Sequence, residues 1–221
     1  MTHPRHIHQN RRAFTLVELL VVIAIIAVVA GLVVAAAGGV GRTKERKLTV
    51  TMLKELDLAL ESFKVTYGSY PRTDNTSANS SAMFNPLFYE LTGTTYEPDA
   101  ANPQSTTANR YRSLLSPAHT LSVRQVTNSF GTKLLGFINN SGSNAFIRLK
   151  SDQYQLMGAN DVILLRVPAS PTNSAGTNKY NLWHYQSYNP AGRNPSGYDL
   201  WANLKGKKSG EIEVIGNWNS R

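Results

Sequence analysis

The sequence contains no cysteine, which excludes a disulfide framework, a thiol nucleophile and thiolate metal sites. It does not name a compartment, because a cysteine-free chain can live on either side of a membrane. Charge is sparse at 17%, and acids are scarcer than bases, 14 against 23. The shortage of acid leaves a formal net charge of +9. Such an excess raises nucleic acid or anionic lipid as partners. The bases are scattered, however, and no basic stripe with interleaved aromatics stands out, so nucleic acid is not expected. Also missing are a phosphate-cradling glycine loop, a Gly-x-Ser-x-Gly elbow and paired carboxylates, since Asp152, Asp161 and Asp199 stand alone. Three of the five histidines fall in the first eight residues. His119 and His184 have no acid or nucleophile at motif spacing. His184, between Trp183 and Tyr185 in an expected strand, reads as structural. No catalytic residue is assigned and no enzyme is expected.

What is present is unevenly distributed. The 221 residues suit one anchoring element and one modest domain. Much of the apolar content lies between Phe14 and Val40, and the remainder is rich in Asn, Ser, Thr, Tyr and Gly. The first 13 residues, MTHPRHIHQNRRA, are polar and basic and have no apolar centre. An ordinary secretory signal places its apolar region before the cleavage site. Here the small residue Ala13 precedes the apolar run, so cleavage at Ala13–Phe14 leaves that run in the mature chain. Losing the leader, with its three arginines and no acid, lowers the net charge from +9 to +6. The run from Leu19 to Val40 is about 22 residues, enough at 1.5 Å per residue to cross a core of roughly 30 Å. It carries no charge after Glu18 and no polar face, so a membrane-spanning helix is expected.

Glu18 is the exception within the apolar segment. One reading leaves it in the headgroup region, where an acid in the first helical turn suits the helix dipole. The other gives it a role, because a carboxylate beside a bilayer core is costly and usually functional. Cleavage before Phe14 creates an ammonium four residues away, which Glu18 can neutralise as a close pair, within a chain or between neighbours. Ala27, Gly31, Ala35 and Gly39 recur at every fourth position and form a stripe of small residues. Such stripes allow close helix packing in lipid, though Ala and Gly are also common in membrane helices.

The segment RRAFTLVELLVVIAIIAVVAGL resembles the processing and methylation motif of type IV prepilins and type II secretion pseudopilins. The resemblance implies that a prepilin peptidase cuts between Ala13 and Phe14 and methylates the new amine. It places Glu18 at the acidic position used in assembly. Glycine commonly precedes the cut in that family, and Ala13 stands there in this chain. The flanking charges do not orient the helix on their own. The resemblance implies a cytoplasmic leader, a single pass through the inner membrane and an exported C-terminal part. Implied partners are prepilin peptidase, further copies and other pseudopilins, an inner-membrane assembly platform and membrane lipid.

Beyond the apolar run, Gly38, Gly39 and Gly41 are expected to loosen the helix. An amphipathic helix follows from about Thr43 to Tyr67, with Leu48, Met52, Leu56, Ala59, Leu60 and Phe63 on one face. Gly68 and Pro71 end it. The stretch 72–122 reads as a long irregular segment with short helices near Asn85–Thr92 and Asn109–Leu115. Strands are expected at Leu134–Ile138, Ala145–Leu149, Val162–Val167, Leu182–Tyr188, Tyr198–Ala202 and Glu211–Ile215. Trp183-His184-Tyr185 and Gly197-Tyr198-Asp199-Leu200-Trp201, with Asn217-Trp218, look similar to the tail of major pseudopilins. That tail commonly carries a calcium loop. The ligand candidates here are Asn203, Glu211 and Glu213, set among Lys205, Lys207 and Lys208, a poor cage for a cation needing several anionic oxygens.

The expected fold is α+β and pilin-like: a long N-terminal helix, membrane-spanning then amphipathic, packed on a small antiparallel sheet. The expected divisions are a leader at 1–13, a transmembrane and assembly helix at 14–41, an amphipathic helix at 42–70 and a loop and sheet region at 71–221. The resemblance implies a structural filament subunit, a pseudopilin of type II secretion. A type IV pilin or minor pilin is the near alternative, and a membrane-anchored exported binding module is one of another class.

Overall fold

The computed structural model describes residues 15–73, 83–158, 161–172, 180–188, 192–195 and 197–218, with the side chains of 33–40 outside that description. The chain divides into two compact units, Met1–Thr43 and Lys44–Arg221.

Helix α1 spans Leu16–Tyr67. Every described side chain from Thr15 to Leu32 is exposed. The expected loosening at Gly38, Gly39 and Gly41 does not occur, as the helix runs through all three. Among the described residues no helix is long and apolar enough to cross a membrane. This corrects the expected membrane-spanning helix over 14–41 and the single-pass inner-membrane placement.

In the second unit α1 is amphipathic. Met52, Leu53, Leu56, Leu60 and Phe63 are buried at helical spacing, and Leu48, expected among them, is instead exposed. The helix ends at Gly68, whose φ of 75° suits a residue without a β-carbon and whose N–H donates to the Lys64 carbonyl at 2.8 Å.

The short helix α2 (Leu87–Thr92) falls inside the expected Asn85–Thr92. Strands β1 (Thr94–Glu97), β2 (Arg110–Ser113) and β3 (Thr120–Ser122) form an antiparallel sheet in that order. The helix expected at Asn109–Leu115 is therefore a strand. Its period of two decides it: Arg110 and Arg112 are exposed while Tyr111 and Ser113 are buried. Helix α3 (Val123–Phe130) follows, then the hairpin of β4 (Tyr154–Met157) and β5 (Val162–Leu165). The last sheet orders β6 (His184–Ser187), β7 (Tyr198–Lys205) and β8 (Ile212–Gly216), all antiparallel. Among the described residues the antiparallel pairing is thus divided among three small sheets.

Two expected strands, Leu134–Ile138 and Ala145–Leu149, are irregular. Bonds from elsewhere replace a ladder: the Phe146 N–H donates to the Leu91 carbonyl at 2.8 Å, and the end of the first segment is held by a side chain. The buried Glu90 carboxylate accepts the N–H groups of Ile138 at 2.9 Å and Asn139 at 2.9 Å. The Asn139 side-chain amide donates to the carbonyls of Glu90 and Asn144. With these groups satisfied, no ladder is needed, and Leu134 and Phe137 still reach the core. On the last sheet, Tyr185, Leu200, Ala202, Leu204 and Ile215 are buried. The buried Trp183 indole donates to Met52 Sδ at 3.4 Å, which ties the sheet region to α1.

Candidate functional site

The start of α1 is built by a reciprocal cap. Thr15 sits just before the helix, and its hydroxyl oxygen accepts the Glu18 N–H at 3.3 Å. The Glu18 carboxylate accepts the Thr15 N–H and the Thr15 hydroxyl, each at 2.9 Å, through Oε2. This Thr-x-x-Glu arrangement is a capping box and serves donors that a helix start leaves unpaired. The Thr15 backbone and hydroxyl donors hold the Glu18 carboxyl below its ordinary range. The cap was legible as a Thr-x-x-Glu spacing before an apolar run. Sequence reasoning fixed on the charge of Glu18 and passed over its geometry.

The processing residues Ala13 and Phe14 lie outside the described residues, and of Ala35 and Gly39 only the helical backbone is described. Ala27 and Gly31 lie on the exposed part of α1, and among the described residues no side chain stands within 4 Å of where a Gly31 β-carbon would be.

The calcium candidates are not brought together. The register pairs Asn203 with Val214 and Leu204 with Glu213, so strand alternation sets Asn203 and Glu213 on opposite faces of the sheet. Glu213 pairs with Arg46 of α1 at 2.7 Å. Asn203 Nδ2 lies 3.4 Å from His184 Nε2. Glu211 accepts the Lys208 N–H at 2.9 Å and closes the β7–β8 turn. Among the described residues no group of three His, Cys, Asp or Glu side chains could hold a metal ion.

A polar cleft of about 590 Å³ lies where the end of α1 meets the chain before β7. Its acids are braced by tyrosines. The Tyr198 hydroxyl donates to Asp57 and the Tyr70 hydroxyl donates to Glu61, both at 2.9 Å. Lys64 Nζ lies 4.6 Å over the Tyr70 ring. Burial, then the Asp57 charge, pushes the Tyr198 hydroxyl well up, so it remains a donor at any ordinary pH. Elsewhere the Tyr89 hydroxyl accepts the Ile163 N–H at 2.8 Å and meets His119 Nε2 at 2.9 Å. These contacts hold elements together, and none joins a nucleophile to a base.

Residues 8–34 match the prokaryotic N-terminal methylation motif. No curated protein and no solved structure matches the chain. The chain therefore carries a prepilin-type N-terminal motif, of the kind shared by type IV pilin-like and pseudopilin-like proteins, ahead of a helix-and-small-sheet unit.

Proposed function

We propose that this chain is a structural filament subunit and not an enzyme: a pseudopilin of a type II secretion system, cut at Ala13–Phe14 and N-methylated at Phe14 by prepilin peptidase. The observation that carries the reading is the methylation motif over residues 8–34. The pseudopilin-like tail around Tyr198-Asp199-Leu200 favours secretion over a pilus. Partners are the peptidase, further copies, other pseudopilins and an assembly platform. Ala27, Gly31, Ala35 and Gly39 supply the close helix packing. Subunits add head to tail, and such heterologous contacts extend without closing.

Glu18 has a double task in this reading. An ionised carboxylate has about four acceptor sites, so a neighbour's Phe14 ammonium can join the Thr15 donors. Glu18→Gln separates the two tasks, because an amide oxygen still accepts the Thr15 N–H but carries no charge. The expected result is a capped helix that enters filaments poorly, scored by electron microscopy beside wild type. Undiminished incorporation would remove the charge from the mechanism. N-terminal sequencing of the mature chain is expected to begin at methylated Phe14, and an intact Met1 start overturns the processing claim.

A further inference from the structure

The cleft between the end of α1 and the chain before β7 has two unlike walls over a tyrosine floor. Asp57, Glu61 and Lys64 follow at steps of four and three, so α1 presents them on one face. Lys54, one turn earlier, does not line the cleft. The far wall carries Arg193 and Asn194, and the buried Asp199 fixes it by accepting the N–H of each at 2.8 Å. Asn194 Nδ2 donates to the Tyr198 carbonyl and to Asn217 Oδ1, both at 3.1 Å. The floor is Tyr70 and Tyr198, packed edge to face at 4.7 Å and both buried. Walls and floor are thus fixed before any guest arrives, which lowers the ordering cost of binding.

Most neutral polar groups here are already used, and what remains is charge. The Tyr198 and Tyr70 hydroxyls are given to Asp57 and Glu61. A carboxylate has about four acceptor sites, so the exposed Glu61 keeps acceptors for a guest. Arg193 is exposed as well, and its guanidinium lies over the Trp218 ring at 5.4 Å. Among the described residues no hydrogen bond or ion pair engages its N–H edge. Such a stacked fork is suited to take a carboxylate through two parallel bonds. Lys64 Nζ is turned to Tyr70, 4.6 Å over its ring and 3.3 Å from its hydroxyl. The charged lining residues, Asp57 and Glu61 against Lys64 and Arg193, sum to zero. A guest of one sign is repelled by two of them, whereas a guest carrying both signs can set each charge against its opposite. At about 590 Å³ the cleft has the size of a small-molecule site, and its polar lining suits a polar guest.

We propose that this cleft binds a short peptide by its free ends, the C-terminal carboxylate on the Arg193 fork and the N-terminal ammonium on Glu61 and Asp57. What is recognised is a pair of opposite charges at peptide length, so the guest's own side chains matter little. The site stands apart from the filament reading. It needs only side chains of the second unit and holds whether or not copies assemble.

Calorimetric titration of the full chain with trialanine is the test, and saturable binding is expected. N-acetyl-trialanine lacks the ammonium, and trialanine amide lacks the carboxylate. Each is expected to bind about fivefold more weakly or worse. Glu61→Gln is expected to remove most of the penalty of acetylation and to keep that of amidation. Arg193→Gln is expected to do the reverse. Damage to the fold would weaken every probe alike. Both side chains are exposed, so an unchanged melting temperature is expected in each variant. Failure of trialanine to bind overturns the site, as do capped probes that bind within about twofold of it. Variants that lose all probes equally overturn the assignment of the two charges. Saturable binding of chitotriose in place of trialanine would make the cleft a glycan site and overturn the peptide reading.

Discussion

Glu90 and His184 are both largely buried, and their titrations pull stability in opposite directions. Burial, opposed by the Asn139 and Ile138 N–H groups, pushes the Glu90 carboxyl up to about 7. A raised folded pKa gives a contribution fully present below the ordinary value near 4.5 and lost as pH rises to 7. Burial beside Trp201, whose ring stacks at 5.0 Å, pushes the His184 imidazole down to about 4. A depressed folded pKa gives a contribution present above 6.5 and lost as pH falls to 4. Each amounts to about 3 kcal/mol, so they largely cancel across pH 4.5–6.5. In wild type the two contributions should offset each other there. Glu90→Gln should become less stable as pH falls from 6.5 to 4.5, and His184→Gln should become more stable over the same interval. Urea unfolding at three pH values reads the slopes, and parallel slopes in both variants would refute the balance. Neither burial could be read from the sequence. His184 was placed in a strand by its Trp and Tyr neighbours, but Glu90 sits in a six-residue helix whose every residue is buried. Nothing in LFYELT distinguishes a buried Glu from a solvated one.

The elements that were legible at the next scale are those whose own residues carry a period. The inner face of α1 follows from Met52, Leu56, Leu60 and Phe63, and β5 to β8 follow from β-branched and aromatic runs bounded by Gly, Asn and Pro. The failures occur where a partner decides. Leu134–Ile138 has strand composition, yet Glu90, more than forty residues away, takes the N–H of Ile138 at its end and that of Asn139 just beyond. Helix α3 went unread although it opens on Ser-x-x-Gln, a sequence-level start signal. There the Ser122 hydroxyl oxygen accepts the Gln125 N–H at 3.2 Å and Gln125 Oε1 accepts the Ser122 N–H at 2.8 Å. Its inner residues Val126 and Phe130 are buried, so loss of the cap is felt by the core. Ser122→Ala is expected to cost about 1 kcal/mol. Thermal unfolding is the check, and a loss below about 0.3 kcal/mol would mean that packing alone sets this helix.

For the whole molecule, the calcium question turns on how the second unit holds its last hairpin. The tail's resemblance to major pseudopilins raises a cation loop there, whereas this chain uses its own cation. Arg46 of α1 reaches Glu213 on β8 at 2.7 Å, and Glu45, the residue before it, accepts the Ser170 N–H and hydroxyl. Both bonds on α1 are exposed, so each is worth roughly 1 kcal/mol or less. The apolar strip from Leu200 to Leu204 supplies the main hold. Glu211 is spent on the Lys208 N–H, and Asn203 faces away from Glu213, so no two candidates converge on one point. A site occupied at a hundredfold over its dissociation constant would add about 2.7 kcal/mol. For a unit of this size that is a rise of about 5–10 °C in melting temperature. The expected result is no shift beyond about 1 °C on adding millimolar calcium or chelator, measured by calorimetry on the full chain. Glu213→Gln should lower the melting temperature slightly, and equally with and without calcium, because what it loses is Arg46. A calcium-dependent rise that disappears in Glu213→Gln would reverse this account and make the hairpin a metal loop after all.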